Sequence, residues 1–192
     1  MVEQVGSIAA LWRFPVKSMV GEHLDAVELS SSGVVGDRAY ALIDATTGKV
    51  VSAKNPRLWP NILDCRARFL ESPRLGEDPP PVRITLPSGV SVTSDSADVD
   101  TVLSDFFGRK VRLAQAAPTD PTIDQYHPDL VGLDPDGHRN VMVEARIGSA
   151  YFADAGVPSP VPENSFFDLF PLSVLTSSTL DRLRELAPQI RG

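Results

Sequence analysis

Two basic side chains and a hydroxyl stand in two short motifs near the start of the chain. The first motif covers residues 13–19 (RFPVKSM) and the second covers residues 33–38 (GVVGDR). Arginine binds a phosphate monoester with a planar fork of N–H groups, and lysine adds a point charge. Lys17, Ser18 and Arg38 therefore suit a phosphate, with each charge-assisted hydrogen bond contributing about 1.5–3 kcal/mol.

Both motifs stand at the ends of predicted strands. An apolar run over residues 5–14 is typical of a strand, and Pro15 ends it because proline cannot donate to a ladder. A second apolar run, residues 39–43, predicts the strand that follows the second motif. If these strands are neighbours, Lys17 and Arg38 meet at one rim of the sheet. The alternative is that both cations are solvated and pair with nearby carboxylates, Asp37 and Glu22.

The rest of the first half alternates short apolar runs with turn residues. This pattern predicts strands over 24–29, 62–69 and 110–113, and hairpins over 43–52 and 82–92. Many short strands with few helices predict an α+β fold that is mainly β, with a small barrel-like domain over residues 1–115.

One amphipathic helix is expected over residues 98–107. Four apolar residues share one face at the 3.6-residue period: Val99, Val102, Leu103 and Phe106. Ser94 or Ser96 is expected to cap its start, and Gly108 its end.

The chain changes character after residue 115. Residues 116–164 are rich in proline and predict a long connection without regular structure. Within it, residues 134–137 lack the ligand spacing of an EF-hand and are expected to form a turn. A new element begins at 165–192, with a helix whose apolar face carries Leu180, Leu183 and Leu186. Ser178 and Asp181 fit a capping box at its start.

Three stretches in order carry a family resemblance: residues 14–19 (FPVKSM), residues 33–38, and residues 51–58 (VSAKNPRL). They resemble the N-terminal β-barrel domain of MOSC proteins, a group that includes the mitochondrial amidoxime-reducing component and the bacterial YcbX-type proteins. Residues 168–180 are similar to the opening of the MOSC domain itself, so the resemblance implies an incomplete second β-barrel domain over 165–192.

The resemblance implies a molybdenum cofactor, molybdopterin. Lys17, Ser18 and Arg38 would hold its phosphate, and residues just before and around Pro171 would border its pterin: Asp168, Leu169, Phe170 and Pro171. The parent enzyme would reduce N-hydroxylated or related N-oxygenated compounds, with a small-molecule substrate and electrons from a separate carrier protein.

The family's later Arg-Phe-Arg-Pro-Asn motif and its molybdenum-ligating cysteine do not occur in these 192 residues. A thiolate is the expected protein ligand for this metal. Cys65, the single cysteine, lies on the predicted strand beside Leu63 and Ala67 and is expected to be a buried apolar residue. We therefore expect no catalytic residue and no metal ligand in this chain.

Composition narrows the classes of function. The net charge is -7 and the pI is about 4.9, which argues against nucleic acid as a partner. One cysteine excludes an internal disulfide, and three scattered histidines make a histidine-rich metal site unexpected. No apolar run reaches the length of a membrane span and no signal peptide stands at the start, so a cytoplasmic protein is expected.

Two alternatives remain open. Lys17 is a candidate Schiff-base lysine for pyridoxal phosphate, because a partly buried lysine gains reactivity. The chain is also a candidate binding or interaction module without catalysis. An exposed apolar face that includes Phe166, Phe167 and Phe170 would then contact a partner or form a dimer.

Overall fold

The computed structural model describes residues 5–132 and 136–187. Short strands dominate these residues, and three α-helices accompany them. The strands are β1 (Leu11–Arg13), β2 (Glu22–Leu24), β3 (Leu29–Ser30), β4 (Gly33–Val34), β5 (Ala41–Asp44), β6 (Arg66–Phe69), β7 (Val82–Thr85), β8 (Ser91–Thr93), β9 (Val111–Ala114), β10 (Thr122–His127) and β11 (Val141–Arg146). The helices are α1 (Val99–Phe107), α2 (Ser149–Asp154) and α3 (Ser177–Leu186), with a 3-10 turn at Ile62–Asp64.

The mainly β, α+β fold expected from the sequence is confirmed. The strands of the described residues form five small antiparallel sheets: β1-β2, β3-β4, β5-β9, β6-β7-β8 and β10-β11. Isolated bridges join residues outside the strands to a strand, Val20 to Arg66 of β6 and Val50 to Ile43 of β5. The described strands thus curl around a shared core without forming one closed, continuous barrel.

The two motifs near the start of the chain are neighbours, as predicted. Arg38 donates its backbone N–H to the carbonyl of Phe14 at 2.7 Å, and Tyr40 donates to that of Pro15 at 3.0 Å. The backbone N–H of Lys17 donates to the carbonyl of Tyr40 at 2.9 Å. These three bonds fix the turn that carries Lys17 directly beside the residue that precedes β5.

Strand β5 divides the core. All four of its residues are buried, and alternate side chains of a strand point to opposite faces. Leu42 packs into the main cluster with residues of β6, β7 and α1, whereas Ala41 and Ile43 pack into a second cluster. Phe166 belongs to that second cluster, so a distant segment completes the packing against β5.

Helix α1 and the hairpin over 82–92 agree with the sequence pattern. The hairpin expected over 43–52 is reduced to one isolated bridge between Ile43 and Val50, and β5 pairs instead with β9. Val99 and Leu103 of α1 are buried, and Gly108 ends the helix at a φ of 62°. The start of the helix differs from expectation, because neither serine caps it. Ser94 accepts the N–H of Val82, and the hydroxyl of Ser96 donates to Asp98.

Several predicted strands are wrong in extent. Of residues 5–14 only Leu11–Arg13 form a strand, and the residues before it are exposed, Val5 at 98 %. Residues 24–29 are split between β2 and β3, which pair with different strands. Residues 62–69 begin with the 3-10 turn and only then enter β6.

The expectation of an unstructured connection over residues 116–164 is also wrong. Strands β10 and β11 form the longest paired ribbon of the described residues, and helix α2 follows them. The turn expected at 134–137 falls partly outside the described residues. The division into domains at 115 and 165 stays a prediction.

Two features of the last segment complete the fold. Thr176 caps the start of helix α3, because its hydroxyl oxygen accepts the N–H of Thr179. The capping box expected at Ser178 is therefore wrong. Throughout residues 5–132 and 136–187, every helix is too short or too polar to cross a bilayer.

Lys49 forms ion pairs with both strands of the β10-β11 ribbon. Asp124 and Glu144 lie directly opposite each other in that ribbon, and like charges in this position repel. The ammonium of Lys49 contacts both carboxylates, at 2.7 Å from Asp124 and in a closer contact with Glu144. The hydrogen bonds that the ammonium of Lys49 donates to Asp124, and then to Glu144, raise the pKa of Lys49 above its ordinary 10.5.

We predict that Lys49→Met lowers the free energy of unfolding by about 1–2 kcal/mol at pH 7, because it leaves two facing carboxylates unneutralised. Urea unfolding measures the loss, and Lys110→Met, which removes an exposed lysine, is the control. Since the folded pKa is raised, the Lys49 contribution is fully present below pH 10.5 and disappears as the pH rises through the folded value. A deficit no larger than that of the control would contradict this role.

Candidate functional site

The ammonium of Lys17 lies inside the protein, where it is 4 % exposed. It donates to a carboxylate oxygen of Asp168 at 2.5 Å and to the carbonyl of Phe166 at 3.0 Å. Burial lowers the pKa of Lys17, and the Asp168 carboxylate offsets only part of that effect. The expectation that Lys17 is a rim residue is therefore wrong: it is a buried cation with an assigned counter-charge.

Arg38 lies on the same side of the molecule as Lys17. Its guanidinium carbon is 5.5 Å from the ring centroid of Phe14 and 5.5 Å from that of Phe167. It is also paired with Asp37, whose other oxygen accepts the N–H of Phe14 at 2.7 Å. The positive charge of Arg38 contributes to lowering the pKa of Lys17, as expected for two cations in proximity.

The backbone is unusual at two of these residues. Six described residues other than glycine have a positive φ, and four of them are Asn or Asp, which tolerate that conformation. The other two are Ser18, at 66°, and Arg38, at 52°. Conformations of this kind cost about 1–3 kcal/mol each and cluster at functional sites.

Ser18 and Lys54 connect the turn to the third sequence motif. The hydroxyl oxygen of Ser18 accepts the N–H of Ala53 at 3.0 Å, which leaves its own O–H available to donate. The next residue, Lys54, places its ammonium 3.2 Å from the second carboxylate oxygen of Asp168. Lys54 is 45 % exposed, so this third cation faces solvent.

Asp168 is held between two lysines. Burial opposes its ionised form, but the charges and hydrogen bonds of Lys17 and Lys54 outweigh burial and lower the pKa of Asp168. Its backbone is fixed as well, because its carbonyl accepts the N–H of Gly148 at 2.7 Å. The site as a whole contains three cations and two carboxylates, a local positive excess in an acidic chain.

The residues after Asp168 continue along the same rim. Leu169 packs on the cluster of Phe152 and Phe167, and Phe170 is 62 % exposed with its ring 6.2 Å from that of Phe152. Pro171 lies over Gly33, where an added Cβ would be 2.5 Å from the Pro171 carbonyl oxygen. Of the seven site residues expected from the sequence, Lys17 and Asp168 are thus in direct contact and Arg38 lies near Lys17, whereas Leu169, Phe170 and Pro171 contact other residues. The roles of all seven stay predictions.

A cavity of about 680 Å³ opens beside Asp168. Its wall includes Lys54, Asp168 and Leu169 from the site, and Arg146 and Tyr151 from the segment that the sequence indicated as a connection. Lys54 and Asp168 therefore face this open recess, which the carboxylates of Glu144 and Asp154 also line, whereas Lys17 and Arg38 are not part of its wall.

Two residues of the site, Lys54 and Phe167, were not predicted from the sequence, and Phe166 and Phe167 are buried although they were expected at the surface. Lys54 stands in the motif over residues 51–58 but was not assigned a role, and nothing in the sequence indicated that Phe167 stacks on Arg38. Phe166 and Phe167 are 1 % and 5 % exposed. Of the three aromatic residues expected on an exposed apolar face, only Phe170 lies at the surface.

Cys65 shows the properties of a core residue. It is fully buried in the main cluster, and burial raises the pKa of its thiol to about 11. In the described part of the chain, no group of three or more His, Cys, Asp or Glu side chains is arranged to hold a metal ion.

Comparison with known proteins identifies one family. A family model described as the MOSC N-terminal beta barrel domain matches residues 5–110. No curated protein and no solved structure matches the chain. The match covers more than half of the sequence and contains Lys17, Ser18, Arg38 and Lys54, whereas Asp168 lies outside it.

We predict that Gly33→Ala destabilises the protein more than Gly89→Ala. Both glycines have a positive φ, of 98° and 87°, but an added Cβ meets the Pro171 carbonyl at the first and nothing within 4 Å at the second. Gly89→Ala should cost about 1–2 kcal/mol from backbone conformation alone. Gly33→Ala should cost at least about 1 kcal/mol more. Equal losses in urea unfolding would contradict the contact with Pro171.

We predict that Cys65 does not react with a thiol reagent at pH 8 in the folded protein. Its raised pKa keeps the thiol protonated at this pH, and its burial blocks access. Complete modification within minutes should follow unfolding in urea. Fast modification of the folded protein, read by the absorbance of the released chromophore, would show an accessible thiolate instead.

Proposed function

The chain belongs to the MOSC family, and from this premise we propose that it holds the phosphate end of a molybdenum cofactor for an oxidoreductase. The reaction proposed for the parent enzyme is the reduction of N-hydroxylated or related N-oxygenated compounds. Within that enzyme, this chain would bind the phosphate end of the cofactor.

The observation that supports the proposal is the convergence of cations from separate parts of the sequence. Lys17, Arg38 and Lys54 come from three different motifs. Lys17 and Lys54 contact the carboxylate of Asp168, and Arg38 lies close enough to Lys17 to contribute to lowering its pKa. Neutral ion pairs would need one cation for each carboxylate. This site has three cations for the two carboxylates of Asp37 and Asp168. An excess of positive charge on rigid turns suits a phosphate dianion.

The donors fit a phosphate in number and kind. Arg38 would offer its planar fork, held in place by the rings of Phe14 and Phe167. Lys17 would supply a point charge, Lys54 would add to the positive charge beside it, and Ser18 would donate its O–H. Leu169, Phe170 and Pro171 form the adjoining rim, where we propose that they border the pterin.

When bound, the cofactor supplies the redox chemistry, and the protein supplies binding, orientation and electrostatics. The described residues suit the phosphate end of that cofactor rather than its metal. Cys65 is buried and its thiol pKa is raised to about 11, so it is unsuited to ligate molybdenum. The metal-binding thiolate is accordingly proposed to come from outside residues 1–192.

Electron delivery by a separate carrier protein and a cytoplasmic location stay predictions. So does pyridoxal phosphate bound through a Schiff base at Lys17. In this structure, the ammonium of Lys17 is buried and hydrogen-bonded to Phe166 and Asp168.

A second candidate function is that of a non-catalytic interaction module. It is favoured by apolar residues that stay exposed in and before helix α3, which buries none of its own residues: Phe170, Leu172, Val174, Leu175, Leu180, Leu183 and Leu186. Natively expressed protein that is folded but contains no pterin would favour the module over the enzyme.

We predict that Lys17→Met together with Arg38→Met lowers the pterin content of the natively expressed protein at least tenfold. Two charge-assisted hydrogen bonds of about 1.5–3 kcal/mol each would be lost. Methionine is chosen because its unbranched side chain fills the volume of a buried lysine stem, whereas alanine would add a cavity. Fluorescence of the extracted, oxidised pterin per mole of protein measures the effect.

The matched control is Lys110→Met with Arg112→Met, which removes two exposed cations from the region of β9 and changes the net charge equally. Circular dichroism and thermal unfolding check that both double variants are folded. Pterin content that is unchanged in the Lys17 and Arg38 variant, or reduced equally in the control, would overturn the phosphate assignment.

A further inference from the structure

The carboxylate of Asp168 lies where two of the three cations of the site converge. One oxygen is 2.5 Å from the ammonium of Lys17 and the other is 3.2 Å from that of Lys54. A carboxylate and a phosphate use the same kind of oxygen acceptor toward an ammonium. Asp168 therefore makes the contacts that an external anion would make.

From these contacts we propose that Asp168 is an internal anion, which neutralises Lys17 until a phosphate displaces it, and that Lys54 retains the displaced carboxylate. The inference rests on the proposed function, since it concerns the same cation site, and it goes beyond that function by giving the site a built-in competitor.

Burial explains why such a competitor is needed. Lys17 is 4 % exposed, and a buried ammonium without a counter-charge is strongly unfavourable. The carbonyl of Phe166 satisfies one of its N–H groups but contributes no net charge. A carboxylate from the chain itself keeps the buried lysine neutralised in the absence of an external anion.

Exposure explains why the competitor can leave. The side chain of Asp168 is 29 % exposed and that of Lys54 is 45 % exposed, and both line the cavity through which an anion would approach. The backbone of Asp168 is held by Gly148, so rotation of the side chain moves the carboxylate without moving the segment. Lys54 has a long flexible stem, which allows its ammonium to follow the carboxylate.

Charge explains why phosphate and carboxylate exclude each other at Lys17. A phosphate dianion added to the present site would stand beside Asp168, and like charges at that separation repel strongly away from bulk water. The site binds one of the two anions at Lys17, so the apparent affinity for phosphate is reduced by the fraction of molecules in which Asp168 occupies it.

The test compares binding of inorganic phosphate to the wild-type chain, Asp168→Asn and Asp124→Asn by isothermal titration calorimetry. If Asp168 occupies Lys17 in about nine molecules of ten, its neutralisation tightens phosphate binding about tenfold. Asp124→Asn removes the same charge at another carboxylate that contacts a lysine, Lys49, and should leave the affinity within about twofold. Asp168→Ser, a smaller neutral residue, is the second variant if the asparagine variant does not fold.

The outcomes separate the inference from the function on which it rests. Unchanged or weaker binding by folded Asp168 variants, with clear binding by the wild type, overturns the internal anion and leaves the phosphate site standing. Phosphate binding by neither the wild type nor the variants overturns both. Equal tightening in Asp124→Asn would show a general effect of net charge and would also overturn the inference.

The role of Lys54 is tested by a double-mutant cycle. Lys54→Met should weaken phosphate binding about threefold or more in the wild-type background, because the carboxylate then has only Lys17 to bind. In the Asp168→Asn background the same change should have a smaller effect. Equal weakening in both backgrounds would show that Lys54 contacts the phosphate directly, and would overturn its role in retaining the carboxylate.

Discussion

The ion pair between the buried Lys17 and the partly exposed Asp168 is the constraint on which the rest of the structure depends. The two residues are 151 positions apart in the sequence, and the backbone carbonyl of Phe166 adds a further contact to the same ammonium. A buried charge that loses its partner costs several kcal/mol. The last described segment is consequently held against the first turn of the fold, and Phe166 completes the apolar cluster beside β5.

Around this pair, backbone geometry and charge reinforce each other. Asp37 fixes the entry to the first turn by accepting the N–H of Phe14, and it pairs with Arg38 at the same time. Burial raises the pKa of Asp37, and the charge of Arg38 counteracts that rise. The positive φ of Arg38 is tolerated because backbone bonds on both sides of it are made to the neighbouring turn.

Local patterns allowed part of this fold to be predicted. The hairpin over 82–92, helix α1 and the adjacency of the Lys17 turn to β5 follow from alternation, helical period and turn residues, all of which act over short distances in sequence. The β10-β11 ribbon was missed because frequent prolines in the surrounding residues obscured its alternation. The two facing carboxylates of the ribbon are neutralised by Lys49, a residue far away in sequence that no local pattern connects with them.

The candidate site could be predicted only as a set of residue types. Motif positions indicated Lys17, Ser18, Arg38 and the segment from Asp168 to Pro171, and the structure brings Lys17 into contact with Asp168 inside the protein. The burial of Lys17 and the participation of Lys54 could not be predicted, because both depend on how residues more than one hundred positions away pack. Phe166 and Phe167 were expected at the surface for the same reason, since their apolar partners belong to other elements.

A purely structural role does not account for this arrangement. Replacing a buried ion pair by well-packed apolar residues is often neutral or stabilising, so stability alone gives no reason to bury Lys17 against Asp168. Stability also gives no reason for Ser18 and Arg38 to adopt a backbone conformation that glycine would adopt at lower cost. Both costs, and the unmatched third cation at Lys54, are understandable if the rim is built to bind an anion that the chain itself only partly replaces.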